Sequence, residues 1–398
     1  MSGTPIEKKT VRDIAVGGKR VLVRADLNVP LARGGVADDT RIRESLPTLR
    51  YLREEGAHVI LCSHLGRPKG RDDTLSLSPV AGRLGNLLGQ DVIFAEDCIG
   101  EPARQAVDVG VRQGRVVLLE NLRFHPGEEA NDPDFARELA SLAEVYVDDA
   151  FGAAHRAHAS TEGVTHYLPA VAGLLMEKEV RYLGGLVARP PRPFAAVIGG
   201  AKVSTKLPAI EHLLPRIDLL LLGGGMANTF LKARGVNVQA SLVEDQQLDD
   251  ASRIVREAEA RDIRVYLPTD VVVADEPDER ASAETVRLDH VRPGKRILDI
   301  GPATVQAFDA ALRVANAVIW NGPMGVFEVE KFAAGTRAIA TAIANLEATT
   351  VVGGGETAQV VAQLGLQDRF THVSTGGGAS LEMLEGKTLP GVAALMDA

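Results

Sequence analysis

The sequence predicts an α/β protein of two domains, each built on a parallel sheet. Three observations lead there. Short β-branched runs alternate with longer helical patterns along the whole chain, the signature of βαβ units. The length of 398 residues exceeds what one hydrophobic core comfortably serves. A helical pattern, LLMEKEVRYLGGLVA (174–188), runs into the proline break ARPPRPF (188–194), as expected of a helix joining two domains.

The elements follow in order. VLVRADLN (21–28) opens on a strand. RIRESLPTLRYLREEG (41–56) spaces Ile42, Leu46, Leu49 and Leu52 three or four apart, which predicts an amphipathic helix. HVILCSHLGR (58–67) is a second strand and its loop. SPVAGRLGNLLGQ (78–90) starts at Ser-Pro and stops near glycine, as helices do. VVLLENLRFH (116–125), the helical PDFARELASLAE (133–144) and VYVDDAFGAAHR (145–156) continue the alternation. Beyond the proline break, the strand-like runs FAAVIGG (194–200), DLLLLGGG (218–225), RILDIG (296–301), AVIWNG (317–322) and TTVVGGG (349–355) all end in glycine.

That contrast between the halves carries chemistry. Glycine lets a backbone approach phosphates, and a following helix N-terminus offers free N–H groups to them. In the first half the runs end in charge or imidazole instead, and arginine and histidine clamp anions. Parallel sheets bind ligands beyond the carboxyl ends of their strands. A nucleotide half and a small-acid half suggest a bisubstrate transferase.

Composition narrows the classes. A net charge of −9 argues against partners such as nucleic acid or a membrane surface. No apolar run approaches the roughly 20 residues that span a bilayer, and MSGTPIEKKTVRD lacks the apolar core of a secretory signal. The expectation is a soluble cytoplasmic protein. Cys62 and Cys98 lie in or beside apolar runs and read as buried free thiols, neither a disulfide nor a metal pair.

Four strand–glycine–helix junctions stand out. In IGGAKVSTKL (198–207) a helix is expected to open after Gly200. Lys202 and Lys206 would then share one face, either around a bound anion or as solvated lysines. In VVGGGETAQVV (351–361), Glu356 either caps a helix or holds Mg²⁺. In IWNGPMGVFE (319–328), Glu328 either accepts from ribose hydroxyls or is surface charge. HVSTGGGASLEML (372–384) is the fourth junction. No Walker A loop is present. In the first half the polar groups to weigh are Asp26, Asn28, Arg41, His64, Arg67, Arg123 and Arg156, most of them just after strands, where together they would form an anion site. His155 and His158 lack the further ligands of a metal site, and His125 and His166 fall in no interpretable motif.

The segments VLVRADLNVP, SHLGRP, LLENLRFHPGEE, VDDAFGAAHRAHAS, LLMEKEV, IGGAKVSTKL, LGGGMANTF, WNGPMGVFE and STGGGASLEMLEGKTLPG together resemble the phosphoglycerate kinase family, in its order and from near residue 20 to the end. The resemblance implies two Rossmann-like α/β domains joined by a hinge helix, closing to transfer phosphoryl between 1,3-bisphosphoglycerate and ADP with Mg²⁺. It implies that Asp26, Leu27 and Asn28 hold the glycerate substrate together with Arg41, His64, Leu65, Gly66, Arg67, Arg123 and Arg156. It assigns the nucleotide to Gly200, Lys202, Lys206, Asn321, Glu328, Gly354, Gly355, Glu356 and Thr357, with Glu356 as the metal ligand. Arg41, Lys206 and the backbone at Gly377 would serve the transferring group. The chain departs from the family pattern at Glu356, usually Asp, at Asp148, often Asn, and at Ala303, often a longer side chain.

The expected division is a phosphoglycerate-binding domain over 1–173, an interdomain helix over 174–189, a nucleotide-binding domain over 190–380, and a tail over 381–398 that packs back on the first domain. A monomer is expected. A nicotinamide-dependent oxidoreductase is a rival, but it needs G-x-G-x-x-G after an early strand, and RADLNVP stands there instead. A non-catalytic two-domain anion-binding protein is another, but it has no use for paired lysines and a metal-capable carboxylate.

Overall fold

The computed structural model describes residues 7–32 and 34–398. Residues 1–6, part of the segment read above for a secretory signal, and Arg33 lie outside them. The described chain divides into two compact units: Tyr182–Lys387, and residues 7–181 with Thr388–Ala398.

The first unit is built on a six-stranded sheet. Its order is Ile93–Phe94, Val117–Leu118, His58–Cys62, Arg20–Arg24, Val145–Asp148, Ala170–Ala172, and every pairing is parallel. The central strands are apolar on both faces because helices cover both. The helix Thr40–Glu54 buries Ile42, Leu46, Leu49 and Leu52, the stripe its spacing predicts. The helix Ser78–Leu88 stops at Gly89, whose φ of 68° only glycine adopts cheaply. Asp132 caps the helix Pro133–Ala140 by accepting the N–H groups of Asp134 and Phe135. At the chain's end Lys8 bridges to Asp397, with Nζ and Oδ1 2.6 Å apart.

The stretch 174–188 is helical, as Leu174–Glu179, a π-helical turn Val180–Gly184, and Gly185–Ala188. The boundary between the units falls inside the π turn. Such turns interrupt the regular ladder of a helix.

The second unit carries another all-parallel sheet, ordered Arg264–Tyr266, Leu219–Leu222, Phe194–Ile198, Ala317–Asn321, Thr349–Gly353, His372–Val373. One glycine-ended run departs from expectation. Arg296–Ile300, from RILDIG, lies in a separate three-stranded sheet, antiparallel to Asp270–Ala274. Its glycine serves packing, not a ligand. A Cβ on Gly301 would fall 2.4 Å from the Asp270 carboxylate, which accepts the N–H groups of Ala303 and Thr304 at the next helix.

The glycines at the parallel-strand ends divide into two kinds. A Cβ on Gly199 would meet the Pro323 carbonyl at 2.1 Å, on Gly224 the Gly200 carbonyl at 2.6 Å, and on Gly322 the Gly199 carbonyl at 2.3 Å. Three neighbouring loops therefore touch backbone to backbone. Gly355 and Gly377 would meet nothing within 4 Å, so they border open space.

This packing separates two glycine substitutions. Gly322→Ala forces a side chain onto backbone at a φ of 98°, and strain with overpacking should cost about 2 kcal/mol or more. Gly355→Ala should change stability by no more than about 0.5 kcal/mol. Denaturant titration of both variants checks the contrast. Asp148 is fully buried, and burial, with the neighbouring Asp149 carboxylate adding to it, pushes its carboxyl up to about 7. A carboxyl raised in the folded state costs nothing below its ordinary value, and the cost grows as pH rises toward 7. Asp148→Asn should therefore raise the thermal midpoint most above pH 7 and least near pH 4. A uniform shift at all pH values would show that the gain is not electrostatic.

Candidate functional site

Four adjacent central strands of the first unit end together, and their loops carry the polar groups. After Arg20–Arg24, Asp26 accepts the Asn28 N–H at 3.2 Å and receives Arg41 NH1 at 2.7 Å. After His58–Cys62, the Gly66 N–H donates to Asn28 Oδ1 at 2.9 Å. After Val117–Leu118, Arg123 donates to the Gly66 carbonyl at 2.7 Å and pairs with Glu129 at 3.1 Å. After Val145–Asp148, Arg156 Nε lies 3.2 Å from His155 Nε2. Arg67 is exposed and makes no ion pair among the described residues.

Two imidazoles report the resulting field. Burial, then Arg24, Arg123 and Arg41, hold the His64 ring well below its usual value. Burial, then Arg123, Arg24 and Arg156, bring His158 down to about 4. Arg24 and Arg123 act on both rings, so the two share one electropositive region. Arg24 NH2 lies 3.0 Å from His64 Nδ1. A guanidinium only donates, so Nδ1 accepts and the proton of neutral His64 sits on Nε2.

Arg24 belongs to this cluster, and sequence reasoning passed over it. It is fully buried. Its Nε donates to Ser160 Oγ at 2.8 Å, and Ser160 Oγ donates to buried Glu128 at 2.6 Å. A charged residue closing a buried strand, RVLVR, was the available signal. Asn121 is another: its side chain bonds the Leu65 N–H and carbonyl at 3.2 and 2.8 Å. Leu27 and Leu65, expected among the substrate-binding residues, turn their side chains away from the loop surface. Both side chains belong to the core, and their N–H groups go to Ser63 Oγ and Asn121 Oδ1. They position the loops.

The second unit holds two adjoining cavities. One of about 480 Å³ is lined by Gly200, Lys202, Lys206, Asn321, Gly354, Gly355, Glu356, Thr357 and Gly377. A largely apolar one of about 600 Å³ is lined by Leu242, Ile297, Leu298, Val326 and Glu328, and shares Gly200 and Glu356 with the first. The two cavities thus gather every second-unit residue expected to serve the nucleotide or the transferring group.

Their local setting differs at three points. Lys202 and Lys206 do not share a helical face, because the helix starts only at Leu207, with Pro208 in its first turn. The Glu244 carboxylate accepts the Ser204 N–H at 3.0 Å and its hydroxyl at 2.6 Å, holding the segment between the lysines as turns. Glu244 lies 40 residues away, so local spacing could not reveal it. Lys206 Nζ instead contacts Asn321 Oδ1. Burial lowers the Lys206 ammonium somewhat, opposed by Glu356 and Glu385. Thr357 is buried and accepts the Gly322 N–H at 2.7 Å, tying two loops together. Glu356 occupies the first turn of the helix Gly355–Gln363, yet no side chain caps that helix. Its exposed carboxylate faces both cavities, which suits a hard cation that takes one protein carboxylate and fills its shell from water and phosphates.

Comparison with known proteins agrees with this architecture. A model of the phosphoglycerate kinase family matches residues 11–387. Phosphoglycerate kinase of Pelotomaculum thermopropionicum is 58% identical over 98% of this chain and 99% of its own length. That of Chloroflexus aggregans is 56% identical over 99% and 100%. The solved phosphoglycerate kinase of Coxiella burnetii superposes with a TM-score of 0.87 at 41% identity, over 97% of this chain and 98% of that one. The Pyrococcus horikoshii enzyme gives 0.82 at 33% identity, with the same coverage. The chain belongs to the phosphoglycerate kinase family.

Proposed function

We propose that the protein transfers a phosphoryl group reversibly between 1,3-bisphosphoglycerate and ADP, giving 3-phosphoglycerate and ATP. The observation that carries this is the pairing of a guanidinium–imidazole cluster in one unit with a lysine-, glycine- and carboxylate-lined cavity in the other. Phosphoryl transfer asks for positioning and charge stabilisation more than for covalent help. The two sites supply those.

Arg67, Arg123 and Arg156 hold the non-reacting phosphate, and neutral His64 donates through Nε2. Asp26 and Asn28 orient the glycerate. Lys202, Lys206 and the open backbone at Gly200, Gly354 and Gly355 take the nucleotide phosphates. The base enters the apolar cavity and Glu328 accepts from the ribose. Glu356 would hold the Mg²⁺ that accompanies the nucleotide, and that ion would supply neutralisation of phosphate charge. Arg41, Lys206 and the N–H groups around Gly377 stabilise the group in transit. The bond from phosphorus to the carboxyl oxygen breaks as the bond to the ADP oxygen forms, and the electron pair stays on the carboxylate.

A coupled assay of ATP formation from 1,3-bisphosphoglycerate and ADP tests the reading. Turnover that requires both substrates is expected; hydrolysis of the acyl phosphate without ATP formation would refute it.

Three variants separate the roles. Lys206→Ala removes charge that matters most in the transition state, so kcat should fall roughly 100-fold or more; a loss of only a few-fold would move the transferring group elsewhere. Arg123→Ala should raise KM for the phosphoglycerate by about 1.5–3 kcal/mol equivalent and leave ADP affinity alone. Loss of ADP binding instead would contradict the assignment of the first unit. Glu356→Gln should weaken MgADP more than metal-free ADP, measured by calorimetric titration. Equal losses would make Glu356 a general electrostatic partner and not the metal's ligand.

A further inference from the structure

Asp97, Cys98 and His125 take no part in the chemistry above, yet they meet. Asp97 and Cys98 follow the strand Ile93–Phe94, and His125 follows Val117–Leu118. These strands pair in parallel, Ile93 with Val117 and Phe94 with Leu118. The sheet thereby brings two loops together across 28 residues of sequence, and His125 Nε2 lies 2.6 Å from Asp97 Oδ1. The Cys98 N–H donates to the same oxygen at 2.7 Å. One carboxylate oxygen, the Cys98 sulfur and one His125 ring nitrogen all lie within 4.8 Å of one another.

We propose that Asp97, Cys98 and His125 form a binding site for a zinc-class divalent cation, separate from the Mg²⁺ that accompanies the nucleotide. A tetrahedral zinc with bonds of about 2.0–2.3 Å spaces its ligand atoms roughly 3.3–3.8 Å apart. Reaching that spacing opens the 2.6 Å His125–Asp97 contact and draws in the other ligand atoms, which lie within 4.8 Å, by at most about 1 Å, a side-chain adjustment. The ligand types also select the ion. A thiolate, an imidazole and a carboxylate together favour zinc over magnesium or calcium, which take oxygen.

Exposure is graded in the way an open site requires. Cys98 is fully buried and free. The His125 and Asp97 side chains keep 31% and 34% of their surface. The ion would enter from the solvent side and keep a water in its fourth position. Binding replaces the His125–Asp97 hydrogen bond, the proton that Nε2 donated moving to Nδ1, and converts the Cys98 thiol to a metal-bound thiolate, the thiol proton passing to solvent. No electron changes hands.

The alternative is that the trio is only a hydrogen-bonded clasp between two loops. Cobalt(II) distinguishes the two, because a cobalt–thiolate bond has a near-ultraviolet charge-transfer band. The full chain, dialysed against chelator and held in excess Mg²⁺ without nucleotide, is titrated with Co²⁺ and then with Zn²⁺. One equivalent of Co²⁺ should produce the band and Zn²⁺ should displace it. Cys98→Ser should abolish it, Cys62→Ser should retain it, and His125→Gln should weaken Co²⁺ binding at least tenfold. His125 is partly exposed, so that variant remains informative if the buried Cys98→Ser fails to fold. Absence of the band, a band that survives Cys98→Ser, or unchanged affinity in His125→Gln would each overturn the site.

Discussion

Parallel pairing of the central strands is the constraint on which the rest depends. In a parallel sheet every strand points the same way, so every following loop emerges at one edge. Arg20–Arg24 runs beside His58–Cys62 on one side and Val145–Asp148 on the other. Asp26, His64 and Arg156 are thereby delivered to a common edge from three separate stretches of chain. Phe194–Ile198 between Leu219–Leu222 and Ala317–Asn321 does the same for Gly200, Gly224 and Asn321.

Holding several guanidiniums at one edge has a cost that the structure offsets internally. Arg24 is buried with its charge balanced through Ser160 to Glu128, since an unpaired buried charge is strongly destabilising. The arrangement leaves His64 neutral and of one tautomer, a fixed donor in a positive field. The net charge of −9 is therefore no guide to the local potential. An acidic protein contains a strongly anion-attracting edge, and its surface as a whole repels polyanions.

The sequence made strand order along the chain, strand ends and most residues of the candidate site legible, because a charged residue or a glycine directly after an apolar run falls where a parallel sheet binds its ligands. It was blind to anything settled by a distant partner. The lysine segment after Gly200 is turns, not helix, because Glu244 binds Ser204. Arg296–Ile300 looks like its glycine-ended neighbours but pairs antiparallel with Asp270–Ala274. Gly199 and Gly322 read like Gly355, yet the first two are forced by loop-on-loop packing and only the last borders open space. Leu27 and Leu65 sit inside segments expected to hold substrate, yet their side chains are core. Asp97, Cys98 and His125 come together only through strand pairing, which local spacing does not encode.

The central claim is that two independently built sites, one in each unit, bind the two substrates. Backbone amide NMR of the uniformly labelled chain tests it most directly, with 3-phosphoglycerate and MgADP titrated separately. The acid should perturb amides over 26–28, 63–67 and 121–125, and the nucleotide those over 199–206, 321–328 and 354–357. Overlapping perturbations from the two ligands, or an acid response confined to the glycine loops of the second unit, would contradict the account.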